Sequence, residues 1–410
     1  MSQSPQRIAA LDVARGIAIL GILIANLTAF STPQFGAPPK GFSDPSKDLI
    51  EPIIAAIAAG KFRSALAVLF GYGLALQFFS AERKWAKEAV PDAQMDQSFW
   101  PNPYFRRMLF LFALGLIHGI FIWFGDILAT YAVVGTVAAL MIRIEERKWM
   151  WLIYGSLALG LCCGGAMFAV PSGLGGGPGS SAEFWPLGWN NELATFGGRN
   201  YLHQAGARAI LYPFFLMGIV LFMMPSLLSL FGIGILFARR KFFEAPSQHP
   251  KLVKSLLWIG LGIGIPLNAA ALFVPAKIHE ASQSMFWELV AGPILAIGWL
   301  TAVAVWVEKG KGRWITGVFA QVGKFALSNY ILQSILCTTF FYGWGFGQFG
   351  KLPLSQQVWV IPAVWTINII FSYLWGRNHD LGPVEWIWRS AVAKQKLPWR
   401  RLQVDPVPVP

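Results

Sequence analysis

The residue best suited to do chemistry is His118, because imidazole is the side chain that exchanges a proton near neutral pH. It lies in R-R-M-L-F-L-F-A-L-G-L-I-H-G-I-F-I-W-F-G-D-I-L-A-T-Y-A, residues 106–132, which reads as a helical hairpin. A helix ascending from Arg106 places His118 about 18 Å along its axis. Gly125 makes the turn, Asp126 opens the descending helix, and Tyr131 lies as far below the turn as His118 does on the other side. A carboxylate beside the imidazole fixes its tautomer and stabilises its cation, so His118 is the expected base and Asp126 its partner, with Tyr131 close by. The plainer readings are an interhelical hydrogen bond for His118 and an N-cap for Asp126.

Three other clusters carry charge or hydrogen bonds into apolar surroundings, where ionisable groups cost several kcal/mol unless paired or wet. In L-D-V-A-R-G at 11–16, Asp12 and Arg15 stand three apart and share a helix face. They are either a structural ion pair or a site where Arg15 turns inward to hold an anion. In G-K-F-A-L-S-N-Y-I-L-Q-S at 323–334, Lys324 aligns with Ser328 and Asn329 with Gln333. Such a face either binds neighbouring helices, the commoner use of these amides, or lines a cavity. In L-G-P-V-E-W-I-W-R at 381–389, Glu385 and Arg389 are four apart and expected to pair, with Trp386 and Trp388 as interfacial anchors.

The elements that must position these groups are membrane spans. Of 410 residues, 55% are apolar and 13% charged, a composition foreign to disordered chains and ordinary soluble enzymes. Runs of roughly 17 to 25 apolar residues recur along the chain. They predict an all-α, polytopic transmembrane bundle of about ten spans: 8–30, 62–79, 105–124, 127–142, 149–170, 210–236, 252–273, 285–307, 315–341 and 358–375. Pro213 and Pro225 lie within the sixth, which is expected to bend or break. The chain divides into a five-span half over 1–170, an external Gly-rich loop over 171–209, a second five-span half over 210–376, and a tail over 377–410 with a C-terminal interfacial amphipathic helix.

Basic residues mark one set of alternate connections: Arg7, then Arg83 to Arg107, Arg143 to Lys148, Arg239 to Lys254, Lys309 to Arg313, and the tail. Retention of Lys and Arg on the cytoplasmic side puts both termini there. The net charge of +13 then follows from topology and anionic lipid, and no nucleic-acid partner is needed. The opening apolar stretch is too long for a signal core and is interrupted by Asp12 and Arg15. Cys162, Cys163 and Cys337 fall in apolar runs and frame no disulfide network. G-L-G-G-G-P-G-S-S at 173–181 lacks the Lys-Ser/Thr ending of a phosphate loop, and neither a metal-ligand spacing nor a G-x-S-x-G elbow occurs. Prolines interrupt four of the second five spans but none of the first five, which argues against an inverted-repeat transporter.

The opening L-D-V-A-R-G-I-A-I-L-G-I-L-I-A-N, G-K-F-R-S-A-L-A-V-L-F-G-Y-G at 60–73, the His118 hairpin, the 323–334 segment and G-P-V-E-W-I-W-R together resemble the YeiB-like family of bacterial inner-membrane proteins. Ala67 stands where a Ser is common in that family. The family is similar in turn to transmembrane acyltransferases of the heparan glucosaminide N-acetyltransferase type, which pass an acyl group from cytoplasmic acyl-CoA across the membrane using an embedded His. The resemblance implies His118 as that residue, either general base or acyl carrier. It also implies acyl-CoA as co-substrate. From the residues themselves, Arg15 and Lys324, and beside them Asn329 and Gln333, are expected on the donor side, and Tyr131 or Asn26 at the oxyanion. No metal is expected. The partners implied are membrane lipid, the acyl donor, an unidentified acceptor and, as an option, a second copy of the chain. A transporter or flippase using the same polar groups is the alternative, and a scaffold in which they only join helices is a third. Transfer demands a continuous passage through the bilayer to the imidazole.

Overall fold

A computed structural model describes residues 8–34, 44–88, 95, 97–169, 188–273 and 286–401. Among the described residues every regular element is helical. The helices are α1 (Ala9–Ser31), α2 (Pro45–Ile57), α3 (Lys61–Glu88), α4 (Asn102–Ile117), α5 (Leu128–Leu140), α6 (Glu146–Ala169) and α7 (Trp189–Phe196). They continue with α8 (Tyr201–Arg239), α9 (Pro250–Phe273, with a π segment), α10 (Trp287–Glu308), α11 (Arg313–Lys324), α12 (Ala326–Phe341), α13 (Val360–Asn378) and α14 (Pro383–Ala393). Seven described helices are long and apolar enough to cross a membrane: α1, the stretch containing α2 and α3, α4 with its π turn, α8, α9, α10 and the stretch ending in α13.

Three expected spans take another form. The fourth is a helix of 13 residues, which rises about 20 Å. The ninth breaks at Phe325, whose φ of −113° and ψ of 37° leave the helical region and separate α11 from α12. The sixth is longer than expected: α8 runs unbroken through both prolines for 39 residues and takes in part of the stretch assigned to the external loop. The Gly-rich 173–181 segment lies outside the described residues.

The two expected halves share one core. Residues of α1, α3, α4 and α5 form a single buried cluster with residues of α8, α10 and α12. Backbone contact replaces side-chain packing where α3 crosses α8, since a methyl at Gly71 would strike the Phe231 backbone. Close approach of this kind is how membrane helices gain dispersion energy without a hydrophobic drive between them.

Candidate functional site

His118 ends α4 by starting a π turn over His118–Ile122, closed by Trp123 N–H donating to the His118 carbonyl at 2.9 Å. Such a widened turn frees backbone geometry and recurs at functional sites. Arg208 of α8, fully buried, donates to the carbonyls of Ile120 at 2.7 Å and Phe121 at 3.2 Å and so holds the turn open. Gly115 precedes the histidine by one turn and Gly119 follows it. A methyl at Gly115 would meet the Ala129 backbone and the Asp126 carboxylate, and one at Gly119 the Tyr212 ring. The absence of side chains there lets α5 and α8 close on the imidazole.

His118 and Asp126 are joined, Nδ1 to Oδ1 at 2.9 Å, with both side chains sealed from solvent. Asp126 Oδ2 accepts from Ala129 N–H at 2.9 Å and from the Tyr212 hydroxyl at 3.0 Å. One carboxylate therefore performs both expected tasks: it caps the start of α5 and orients the histidine. A carboxylate only accepts, so in the neutral imidazole the proton belongs to Nδ1 and Nε2 keeps its lone pair. Nε2 is buried and has no protein partner. An oriented imidazole with an unused basic nitrogen can take a proton or attack a carbonyl.

Two cavities approach this group from opposite ends of the bundle. The first, about 240 Å³, is lined by Arg15, Arg107, Lys324, Glu385, Trp388 and Arg389 at one end and by Ile127, Leu128, Tyr131 and Tyr330 at the other. It adjoins a wider vestibule of about 1160 Å³, which shares Arg15, Arg107 and Arg389 with it and adds Arg83, Arg239 and Lys241 against Glu244 and Glu308. The opposite cavity, about 540 Å³, is lined by Asn26, Arg63, Trp123, Asp126, Thr130, Glu288 and Tyr330 among others. Among the described residues only Ile127 and Tyr330 line both inner cavities. The Tyr330 hydroxyl lies against the Ile127 backbone, and its ring centroid is 5.1 Å from that of His118. The passage is thus not continuous: Tyr330 closes it, and His118 lines neither chamber. This corrects the expectation of an open route to the imidazole.

The other expected residues scatter. Tyr131 faces the first cavity, but its hydroxyl donates to the Arg63 carbonyl at 2.6 Å and its ring packs on Phe70 and Phe231. Arg15 pairs with Asp12 at 3.2 Å and also lines the cavity. Lys324 lines the cavity while bonding Asp380 at 3.1 Å. Asn329 and Gln333 do not reach either cavity. Asn329 donates to Val322 O and Ser372 Oγ, and Gln333 to Ile19 O, so both join helices rather than bind a donor. Glu385 does not serve Arg389. Its carboxylate accepts from Leu327 N–H at 2.8 Å, from Ser328 N–H at 3.2 Å and from the Ser328 hydroxyl, capping α12 from a separate helix. Phe325, at the N-cap of α12, offers no side-chain cap of its own. Burial pushes the Glu385 carboxyl above its ordinary value against the pull of these donors. Burial acts the same way on Asp380, yet Lys324 and Arg401 hold that carboxyl below its usual range.

Sequence reasoning missed Tyr330, Tyr212, Arg208 and the pair of Arg63 with Glu288, joined at 2.8 Å. A signal for two of them was present: Gln204, Arg208 and Tyr212 recur every four residues and mark one polar face entering an apolar helix. No group of three or more metal-ligating residues occurs among the described residues.

Residues 237–395, from the end of α8 through α14, match the family described as a protein of unknown function (DUF418). Tyr330, Lys324 and Glu385 fall inside that segment, whereas His118 and Asp126 precede it. The chain is 29% identical to the uncharacterized protein YxaH of Bacillus subtilis, over 94% of each chain. It is 28% identical to the uncharacterized protein YeiB of Escherichia coli, over 94% of this chain and 96% of YeiB. A 39.9 kDa protein from Bacillus acidopullulyticus is 24% identical over 96% of both chains. These relatives span nearly its whole length, so the chain is similar throughout to YxaH and YeiB.

Proposed function

We propose that this protein is an acyltransferase of the bacterial inner membrane, with both termini and the basic vestibule cytoplasmic. In this reading α5, α6 and α12 complete ten spans, and α14 lies at the cytoplasmic interface as a wall of the donor entrance. The observation that carries the proposal is the placement of a tautomer-fixed histidine, with Nε2 unused, behind the single ring that divides two opposed cavities. The vestibule's cations suit the phosphates of acyl-CoA, and the narrow first cavity suits its thioester arm. An acceptor hydroxyl or amine occupies the opposite cavity. When Tyr330 swings aside, the acceptor gives its proton to Nε2 and attacks the thioester carbonyl. The C–S bond breaks, and the departing thiolate takes the proton back from the imidazolium. Direct attack by Nε2, giving an acyl-histidine, uses the same geometry.

The test is transfer of label from radiolabelled acetyl-CoA in proteoliposomes. His118→Ala should lose it, and undiminished transfer would remove the proposed base. The wall at Tyr330 also favours a second reading, a transporter in which the half-passages open alternately. Protection against thermal unfolding by acyl-CoA, and not by unrelated nucleotides, separates the enzyme from the transporter.

A further inference from the structure

The middle of α8 carries no buried residue. Its buried residues stop at Tyr212 and resume at Leu227. No residue from 213 through 226 is buried. These 14 positions rise about 21 Å, much of the thickness of a hydrocarbon core. Phe214, Met217 and Leu221 face outward, 67%, 56% and 67% exposed. On the other side Phe215, Ile219 and Met223, spaced four apart, line the 540 Å³ cavity. The helix therefore presents apolar surface both to the cavity and to the outside of the bundle.

The cavity offers two unused hydrogen-bond donors. Arg63 and Thr130 line it, and Arg63 Nη1 and Thr130 Oγ1 are buried without a protein partner. Arg63 is paired with Glu288 at 2.8 Å through its other terminal nitrogen, so the free N–H is a directed donor more than an unbalanced charge. Asn26, Gln34, Asp126 and Glu288 also line it, the last neutralised by Arg63, and the rest of the wall, including Ile22, Ala25 and Ala29, is apolar. An occupant must lay hydrocarbon along α8 and present acceptor oxygens to a guanidinium N–H and a hydroxyl. A water-soluble molecule satisfies only the second demand. The volume falls in the range of sites for drug-sized ligands, about 300 to 1,000 Å³, which is too small for a whole diacyl lipid, so the rest of the lipid stays in the membrane.

We propose that this cavity is a lipid site: a glycerophospholipid enters past α8, sets its ester and phosphate oxygens at Arg63 and Thr130, and lays one chain along Phe215, Ile219 and Met223. The site stands on packing alone; that its occupant, or a lipid-linked molecule of the same build, is the acceptor rests on the transfer reading.

The experiment uses full-length protein in nanodiscs doped with phosphatidylglycerol that carries a diazirine on one chain. After irradiation, adducts are mapped by mass spectrometry. Adducts are expected at Phe215, Ile219 and Met223 as well as at the outward Phe214, Met217 and Leu221. Ala25→Trp, which fills the cavity, should lower the first set at least fivefold and leave the second unchanged. Thr130→Val, nearly isosteric, should lower the first set severalfold. The outward adducts report that each variant is folded and embedded. Absence of cavity-face adducts in the unaltered protein, or equal labelling of both faces in Ala25→Trp, would overturn the proposal. His118→Ala should keep all adducts whatever it does to transfer, so failure of the lipid site and failure of the acyltransferase reading give different results.

Discussion

Replacing Asp126 by Asn should reverse the tautomer of His118. The carboxylate receives three donors: His118 Nδ1–H at 2.9 Å, Ala129 N–H at 2.9 Å and the Tyr212 hydroxyl at 3.0 Å. An asparagine has one acceptor oxygen and one donor group. The Ala129 amide can only donate, and it shares its oxygen with Tyr212, so the side-chain oxygen stays with them. The NH₂ group then faces His118 Nδ1, which must accept, and the ring proton moves to Nε2. Hydrogen bonds to a charged group contribute about 1.5–3 kcal/mol and neutral ones about 0.5–1.5. Three weakened bonds, offset by removal of a buried charge, give a net loss of about 1–3 kcal/mol. The fold should survive, while transfer should fall about 10²–10⁴-fold, the usual contribution of a positioned base. Nitrogen-15 NMR of protein labelled at its five histidines reads the tautomer directly, with His118→Ala identifying the resonance. An Asp126→Asn protein that keeps the Nδ1–H form, or that transfers at the original rate, would refute the reasoning.

Three more outcomes follow from the same geometry. Tyr330→Ala should join the two inner cavities and expose Nε2, so diethyl pyrocarbonate should modify His118 at least tenfold faster than in the unaltered protein, as read by mass spectrometry; an unchanged rate would place the seal elsewhere. Because its folded value is raised, Glu385 contributes stability that is complete below about pH 4.3, the ordinary glutamate value, and is lost as pH rises through the folded value. Asp380, held low, acts in the opposite sense and loses its contribution as pH falls through its folded value. Glu385→Gln should therefore flatten the gain in thermal stability on mild acidification, and an identical pH profile would contradict the assignment. Gly71→Val should cost about 3 kcal/mol or more, since overpacking at backbone contact has no flexible neighbour to yield; a melting temperature within a degree of the original would show that α3 and α8 part easily.

The parts of the site that could be read in advance are those set by local spacing. His118 and Asp126 are eight positions apart, and a hairpin whose turn falls between them returns the carboxylate to the ring in almost any packing. Asp12 and Arg15 pair for the same reason. Glu385 and Arg389 had equally good spacing, but it failed because two uncapped amides at the start of α12, some 57 residues away, compete better for a buried carboxylate. Asn329 and Gln333 were correctly seen as one polar face, yet its orientation depends on which neighbours α1 and α13 present.

Apolar run length and the distribution of Lys and Arg were sufficient to mark the chain as a helical bundle with one basic end, because each reflects the cost of placing backbone and charge in hydrocarbon, residue by residue. Packing alone decided that Tyr330 from α12 stands between the cavities, that Tyr212 from α8 adds a third donor to Asp126, and that the middle of α8 stands away from its neighbours. Those contacts link residues more than 80 positions apart, where helical periodicity has no reach. They exist only once the backbones have met, at glycines such as 71, 115 and 119, at a distance that no sequence pattern specifies.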